Sequence, residues 1–231
     1  MADARRCYWC AQPETSREHV PPRCIFPEGK DTADGKGYRD NPITVPSCDA
    51  HNAAKSGDDE YLLQVIALSV ANNPVGGQQA ATKVFRAFQR FPGKAKQIFA
   101  DRQNIYIKDA TTDKVEQTIA VNVDLDRLKT AFEHIVRAIY FHHLGKQLAG
   151  AVTVWPEFLV SLGVPGALER NELFESGRKD SSQLFEKAER YGAHPDVFYY
   201  QMVQAENSAK LFVMRLSFYE GSRVSAIIKL D

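Results

Sequence analysis

Four residues near the start of the chain have the types and spacing to hold a soft metal ion. They are Cys7 and Cys10, then Cys48 and His51, each pair with two residues between its members. Thiolate sulfur and imidazole nitrogen at that spacing reach one ion from a tight turn, and two such turns complete the tetrahedral set that zinc prefers. Cys24 is a further thiol in the same stretch and is the alternative fourth ligand, while Cys48-x-x-His51 keeps the knuckle spacing and favours His51. A Cys-x-x-Cys pair can also be a redox dithiol, but that motif normally opens a helix after a buried strand. The residues before Cys7 carry no strand pattern. Between the two turns lies Glu18-His19, and Asn52 follows His51 directly. A carboxylate, an imidazole and an amide make a candidate second site, with harder oxygen donors than the first.

Positioning these groups needs a small set of elements. Residues 15–20 read as a short strand ending in Glu18-His19 and stopped by Pro21-Pro22, which cannot continue a ladder. Residues 25–42 are rich in Gly, Asp, Lys and Pro and read as a loop. Ile43-Thr44-Val45 is a second strand ended by Pro46, and a helix starting near Asp49 or Ala50 carries His51, Asn52 and Lys55. Beyond residue 58 the pattern becomes helical: Tyr61–Ala71, a break at 72–77, then an amphipathic helix 78–90 with Val84, Phe85, Phe88 and Phe91 on its apolar side. That aromatic stripe is at core spacing, which favours packing over base stacking. A short helix at 94–101 and a hairpin from Gln103–Lys108 and Val115–Val123, turning at Ala110–Asp113, come next. Asp124 is the N-cap of the longest helix, about 125–145, with Leu125, Leu128, Phe132, Ile135, Val136, Ile139 and Tyr140 along its spine and Gly145 closing it. Residues 150–195 are mixed, with a helix around 167–190. Val197–Gln204, Leu211–Tyr219 and Arg223–Leu230 form a three-stranded meander. The fold class is therefore α+β.

In order and spacing, the first part of the chain resembles the HNH endonucleases, nucleases with a ββα-metal core and a treble-clef zinc staple. The pieces are Cys7-x-x-Cys10, Glu18-His19-Val20-x-Pro22, Asn41 before the second strand, and Cys48-x-x-His51-Asn52-x-x-Lys55-Ser56. The resemblance implies a catalytic module at 1–58 and a region of unassigned role at 59–231. It implies that His19 is the general base, and that Glu18 and Asn52 hold a catalytic Mg²⁺ or Mn²⁺. Asn41 would orient the histidine, and Cys7, Cys10, Cys48 and His51 would hold a structural Zn²⁺. Lys55 is either a phosphate contact or an exposed helix lysine. Glu18 departs from the family, which usually has Asp there, and this bears on activity rather than on fold. The alternative is a catalytically silent zinc module that binds DNA or protein.

Charge narrows the partners. Formal net charge is zero, which argues against a large sequence-blind nucleic-acid surface. Locally, Lys83, Arg86, Arg90, Lys94, Lys96, Arg102 and Lys108 face the single acid Asp101, so this stretch is either a phosphate-facing stripe or a solvated helix face. DNA is the expected substrate, with a regulatory partner protein or self-association controlling it and a place in prokaryotic defence or mobile-element biology. No apolar run is long enough to span a bilayer, and the N-terminus lacks a signal-peptide pattern, so no membrane and a cytoplasmic location are expected. Four cysteines in a reducing compartment are metal ligands or free thiols. His134, His142 and His143 share a helix, but neighbours point about 100° apart on it, so they read as structural or surface groups. No phosphate-cradling glycine loop, nucleophile elbow or dinucleotide fingerprint is present.

Overall fold

A computed structural model describes residues 6–10, 12–52, 56–108 and 113–231. Lys55 and the hairpin turn at 110–112 lie outside the described residues. The architecture is mixed α+β, and the three sheets found among the described residues are all antiparallel.

Strand β1 (Ser16–His19) pairs with β2 (Thr44–Ser47) so that Glu18 faces Val45 and His19 faces Thr44. The sequence pattern ends the second strand before Pro46, yet the strand runs through it. A proline needs only that its missing N–H point away from the partner strand. Pro46 satisfies this in a two-stranded ribbon: its carbonyl, on the side away from β1, accepts the Tyr8 N–H at 2.8 Å. The Cys7 turn is closed by Cys7 N–H to the Gln12 carbonyl and by an Arg6–Pro13 bridge. Between the strands the chain makes two 3₁₀ turns, Arg23–Ile25 and Gly29–Asp31. Helix α1 (Asp49–Asn52) begins straight after Cys48, and α2 (Ser56–Ala67) comes next.

The break expected at 72–77 falls at 68–73, since α2 ends at Ala67 rather than at the expected Ala71, and residues 74–77 instead start a helix. The Asn73 side chain accepts the Gly76 N–H and Pro74 occupies the first turn, a position where its missing N–H costs nothing. Gly76 is required there by proximity, because a Cβ on it would lie 2.8 Å from the buried Tyr219 ring. Helix α3 (Pro74–Gln79), a π-helical turn (Ala80–Val84) and α4 (Phe85–Arg90) run on end to end. The π turn inserts an extra residue and rotates α4 about the helix axis. Val84 is buried and Phe88, one turn on, packs edge-on against Phe99, while Phe85, about 100° round the helix from Val84, and Phe91, the non-helical cap after Arg90, are each 56% exposed, contrary to the expected four-residue apolar face. Helix α5 (Pro92–Ile98) leads to the hairpin β3 (Gln103–Lys108) and β4 (Val115–Ala120).

Helix α6 (Leu125–Leu144) is the central pillar. Asp124 caps it by accepting the Arg127 N–H, and Gly145 ends it in the left-handed conformation at φ 68°. Its expected spine is buried except at Leu125, which is exposed in the first turn. The C-terminal meander β7 (Phe198–Gln204), β8 (Leu211–Phe218) and β9 (Ser222–Leu230) gains an outer strand on each side. These are β5 (Gly150–Pro156) and β6 (Tyr191–His194), giving the order β5-β9-β8-β7-β6. One face of this sheet carries Met214, Leu216, Ala226 and Ile228 into the core. The opposite face presents Gln201, Arg215, Ser217 and Ser225, and α7 (Ala167–Phe185) covers it. One continuous apolar cluster runs from Cys7, Tyr8 and Val45 through Leu62, Ile66 and Phe132 to the sheet.

Candidate functional site

The sulfur atoms of Cys7, Cys10 and Cys48 and a ring nitrogen of His51 lie within 4.8 Å of one another. His51 Nδ1 is 3.7 Å from Cys7 Sγ, 3.6 Å from Cys10 Sγ and 3.2 Å from Cys48 Sγ, and the Cys10 and Cys48 sulfurs are 3.8 Å apart. A tetrahedral zinc with Zn–S bonds of about 2.3 Å sets its ligand atoms roughly 3.5–3.8 Å apart. The four groups therefore lie at the corners of such a polyhedron and could hold a metal ion such as zinc. Cys24 stands outside the cluster. Its thiol donates to the Asp59 carbonyl at 3.4 Å, and burial pushes it up to about 12, so it is a protonated, half-buried group.

Neighbours hold the cluster in shape. The Trp9 ring stacks on His51 and on His134, with the Arg137 guanidinium 4.6 Å from its centre. Gln147, just past α6, donates from one amide nitrogen to the Cys7 carbonyl at 2.6 Å and the Cys10 carbonyl at 2.7 Å. The knuckle is thus tied to the central helix through its backbone.

Beside the cluster, Glu18, His19 and Asn52 line one cleft of about 300 Å³, together with Arg23, Cys24, Asp59 and Glu60. Glu18 is 4% exposed. Its carboxylate accepts the Ser47 hydroxyl at 3.2 Å and the Tyr8 hydroxyl at 3.4 Å. Tyr8 comes from between the two knuckle cysteines and also lies 3.3 Å from His134 Nδ1 on α6. A carboxylate can only accept, so the single hydroxyl proton of Tyr8 goes to Glu18, and His134 Nδ1 must carry the hydrogen that Tyr8 accepts. Burial and the cations Arg23 and Arg39 hold His19 below its ordinary value, favouring the neutral ring. The Asn52 amide donates to Ser16 Oγ at 2.8 Å, which places its oxygen at the other end of the group.

Other expected residues do not join this cleft. Asn41 is exposed, with φ 51°, and lines a separate depression with Val20, Phe26 and His194. Most of the anticipated basic stripe is engaged within the protein. Lys83 donates to the Cys24 carbonyl at 2.8 Å and is held below its usual range by burial, and Arg86 pairs with buried Asp31 at 2.5 Å. Lys94 pairs with Glu60, whereas Arg90 is exposed. Lys55 lies outside the described residues. Conversely, Tyr8, Asp59 and Glu60 enter the site without a sequence signal. The two acids look in sequence like first-turn charges of a helix, and only the packing of α2 on the Arg23–Ile25 turn brings them to the cleft. No protein family, curated protein or solved structure matches this chain.

Proposed function

We propose that the chain is a zinc-stapled, metal-dependent phosphodiester hydrolase of the HNH kind, with a treble-clef N-terminal unit and DNA as its substrate. The observation that carries this reading is the convergence of Glu18, His19 and Asn52 on one cleft beside the Cys7–Cys10–Cys48–His51 cluster. The donors suit the metal. A buried carboxylate and an amide oxygen are hard ligands of the type Mg²⁺ or Mn²⁺ takes, and Glu18 and Asn52 would hold that ion. When bound, it supplies electrostatic stabilisation of charge on the scissile phosphate and leaving oxygen.

The chain's own residues do the rest. His19, kept neutral by its surroundings, accepts a proton from the attacking water at a ring nitrogen. The extra methylene of Glu18, relative to the family's usual Asp, is accommodated by drawing the carboxylate back into the protein, where Tyr8 and Ser47 fix it. Residues beyond 58 position the substrate and carry contacts to a controlling partner or a second copy, in a prokaryotic defence or mobile-element setting.

A second reading, a silent zinc module that binds DNA or protein, draws support from Glu18 and from the internal pairing of Lys83, Arg86 and Lys94. Plasmid cleavage separates the two. Zinc-loaded wild type should cut with Mg²⁺ or Mn²⁺ and not with EDTA, and His19→Ala, with its zinc intact, should lose at least about a hundredfold in rate. Intact plasmid under every metal condition, with both proteins folded and zinc-loaded, would favour the silent module.

A further inference from the structure

Glu60 lines the His19 cleft and also a second pocket of about 410 Å³. The second pocket has walls from three directions: Tyr61 and Gln64 on α2, Gln97 on α5, and Asn122 and Arg127 around the start of α6. Its size falls in the roughly 300–1,000 Å³ range of small-molecule sites.

The charges of this pocket are already balanced. Lys94 is paired with Glu60, and Arg127 with Asp58 at 2.6 Å, while Asp124 is occupied in capping α6. A phosphate would have to compete with those carboxylates for its cations. What remains for a ligand is neutral chemistry. Gln97 and Asn122 each offer an amide, one donor and one acceptor side by side, the pattern that reads the edge of a heterocycle, while the buried Gln64 amide donates to Glu60 at 3.4 Å. The Tyr61 ring is fixed in place because its hydroxyl accepts the Asp124 N–H at 2.7 Å. The Arg127 guanidinium lies over that ring, 4.4 Å from its centre, so a guanidinium and an aromatic ring together make one wall of the pocket. Planar groups of this kind take bases by stacking, at about 1–3 kcal/mol per base.

We propose that this pocket binds a nucleobase. Resting on the hydrolase reading for the neighbouring cleft, the base belongs to the nucleotide flanking the phosphate at His19. A base seated there cannot remain stacked in a duplex, so the substrate is nucleic acid with an unpaired or extruded base.

The test is calorimetric or NMR titration of the zinc-loaded full-length protein with four free nucleosides and, separately, with ribose 5-phosphate. At least one nucleoside should bind saturably and the sugar phosphate should not. The surface substitutions Gln97→Ala and Asn122→Ala, with melting temperature and zinc content unchanged, should weaken that binding by about tenfold or more, as expected for losing amide–base contacts. Saturation by ribose 5-phosphate alone, or nucleoside binding indifferent to both substitutions, would overturn the proposal. The two readings fail separately: nucleoside binding without plasmid cleavage keeps the pocket and removes the hydrolase, and cleavage without nucleoside binding does the reverse.

Discussion

Replacing Tyr8 by Phe isolates one hydroxyl at the junction of the metal cluster, the cleft and the central helix. The ring is 1% exposed and Phe refills its space, so the packing contribution is conserved. The loss is confined to the bond to Glu18 at 3.4 Å and the one from His134 at 3.3 Å. A net hydrogen bond to a charged group is worth about 1.5–3 kcal/mol and a neutral one about 0.5–1.5 kcal/mol. Both distances are long, which places each near the bottom of its range, so the sum is about 2 kcal/mol. For a chain of this length 1 kcal/mol moves the melting temperature by about 2–4 °C. Tyr8→Phe should therefore melt about 4–8 °C lower, by circular dichroism or calorimetry near neutral pH, with zinc content checked to be unchanged. Burial and the adjacent Glu18 raise the Tyr8 hydroxyl far above its ordinary range, so its own ionisation does not alter the loss near neutral pH. A variant that melts within about 1 °C of wild type would refute the argument that this hydroxyl satisfies Glu18 and His134.

Two other outcomes are expected from the same geometry. Removing zinc with a strong chelator should lower the melting temperature sharply, because an ion bound only by the folded arrangement of these four ligands adds its binding free energy to folding. Zn²⁺ should restore it and Mg²⁺ should not; indifference of the melting curve to chelation would contradict a structural metal at Cys7, Cys10, Cys48 and His51. Cys24, raised to about 12 against an ordinary 9.0, should resist iodoacetamide at pH 8 in the zinc-loaded protein, read by peptide mass mapping. Its linkage has a definite sign. The folded state keeps the proton that the unfolded state releases, so stability is full below pH 9 and falls between there and about 12. The slope contributed by this group is at most about 1.4 kcal/mol per pH unit, and Cys24→Ala should remove it from the alkaline limb of the stability curve.

Legibility in the sequence depends on whether the deciding interaction is local. Helix α6 is legible because its period, its Asp124 cap and its Gly145 stop all sit within the segment they define. The metal cluster is legible because two-residue spacing is itself the coordination geometry. The π turn at Ala80–Val84 carries no local signature, and Phe91 faces outward because the helix ends at Arg90 and leaves it in a non-helical cap position. Strand β5 is blurred because its partner lies elsewhere in the chain, with Gly150 opposite Leu230, and β6 because it is short and its register shifts between Tyr191 and His194. The basic stripe misleads for a similar reason: the acids that engage it, Asp31 and Glu60, are distant in sequence and adjacent in space. The prolines at 46 and 74 read as breaks, but one fits an edge whose donor is not needed and the other fits a helix start.

The two faces of the five-stranded sheet are fastened by different forces. Toward α6 the attachment is apolar, whereas α7 is held by polar groups beside a smaller apolar contact of Phe185 and Trp155. Ser181 bonds Glu157 at 2.9 Å, Arg215 donates to Ser181, and Gln201 donates to the carbonyls of Phe185 and Ala188. Lifting α7 away would expose Phe185 and the Trp155 ring that packs on Gly177 and Phe174, a small area compared with the core of the other face, while Leu168 and Leu173 already face solvent. Denaturant acts in proportion to newly exposed surface, so detachment of α7 is a low-slope excursion that leaves the sheet paired. Amide hydrogens of α7 would then exchange through local fluctuation, and those of α6 only when the whole molecule comes apart.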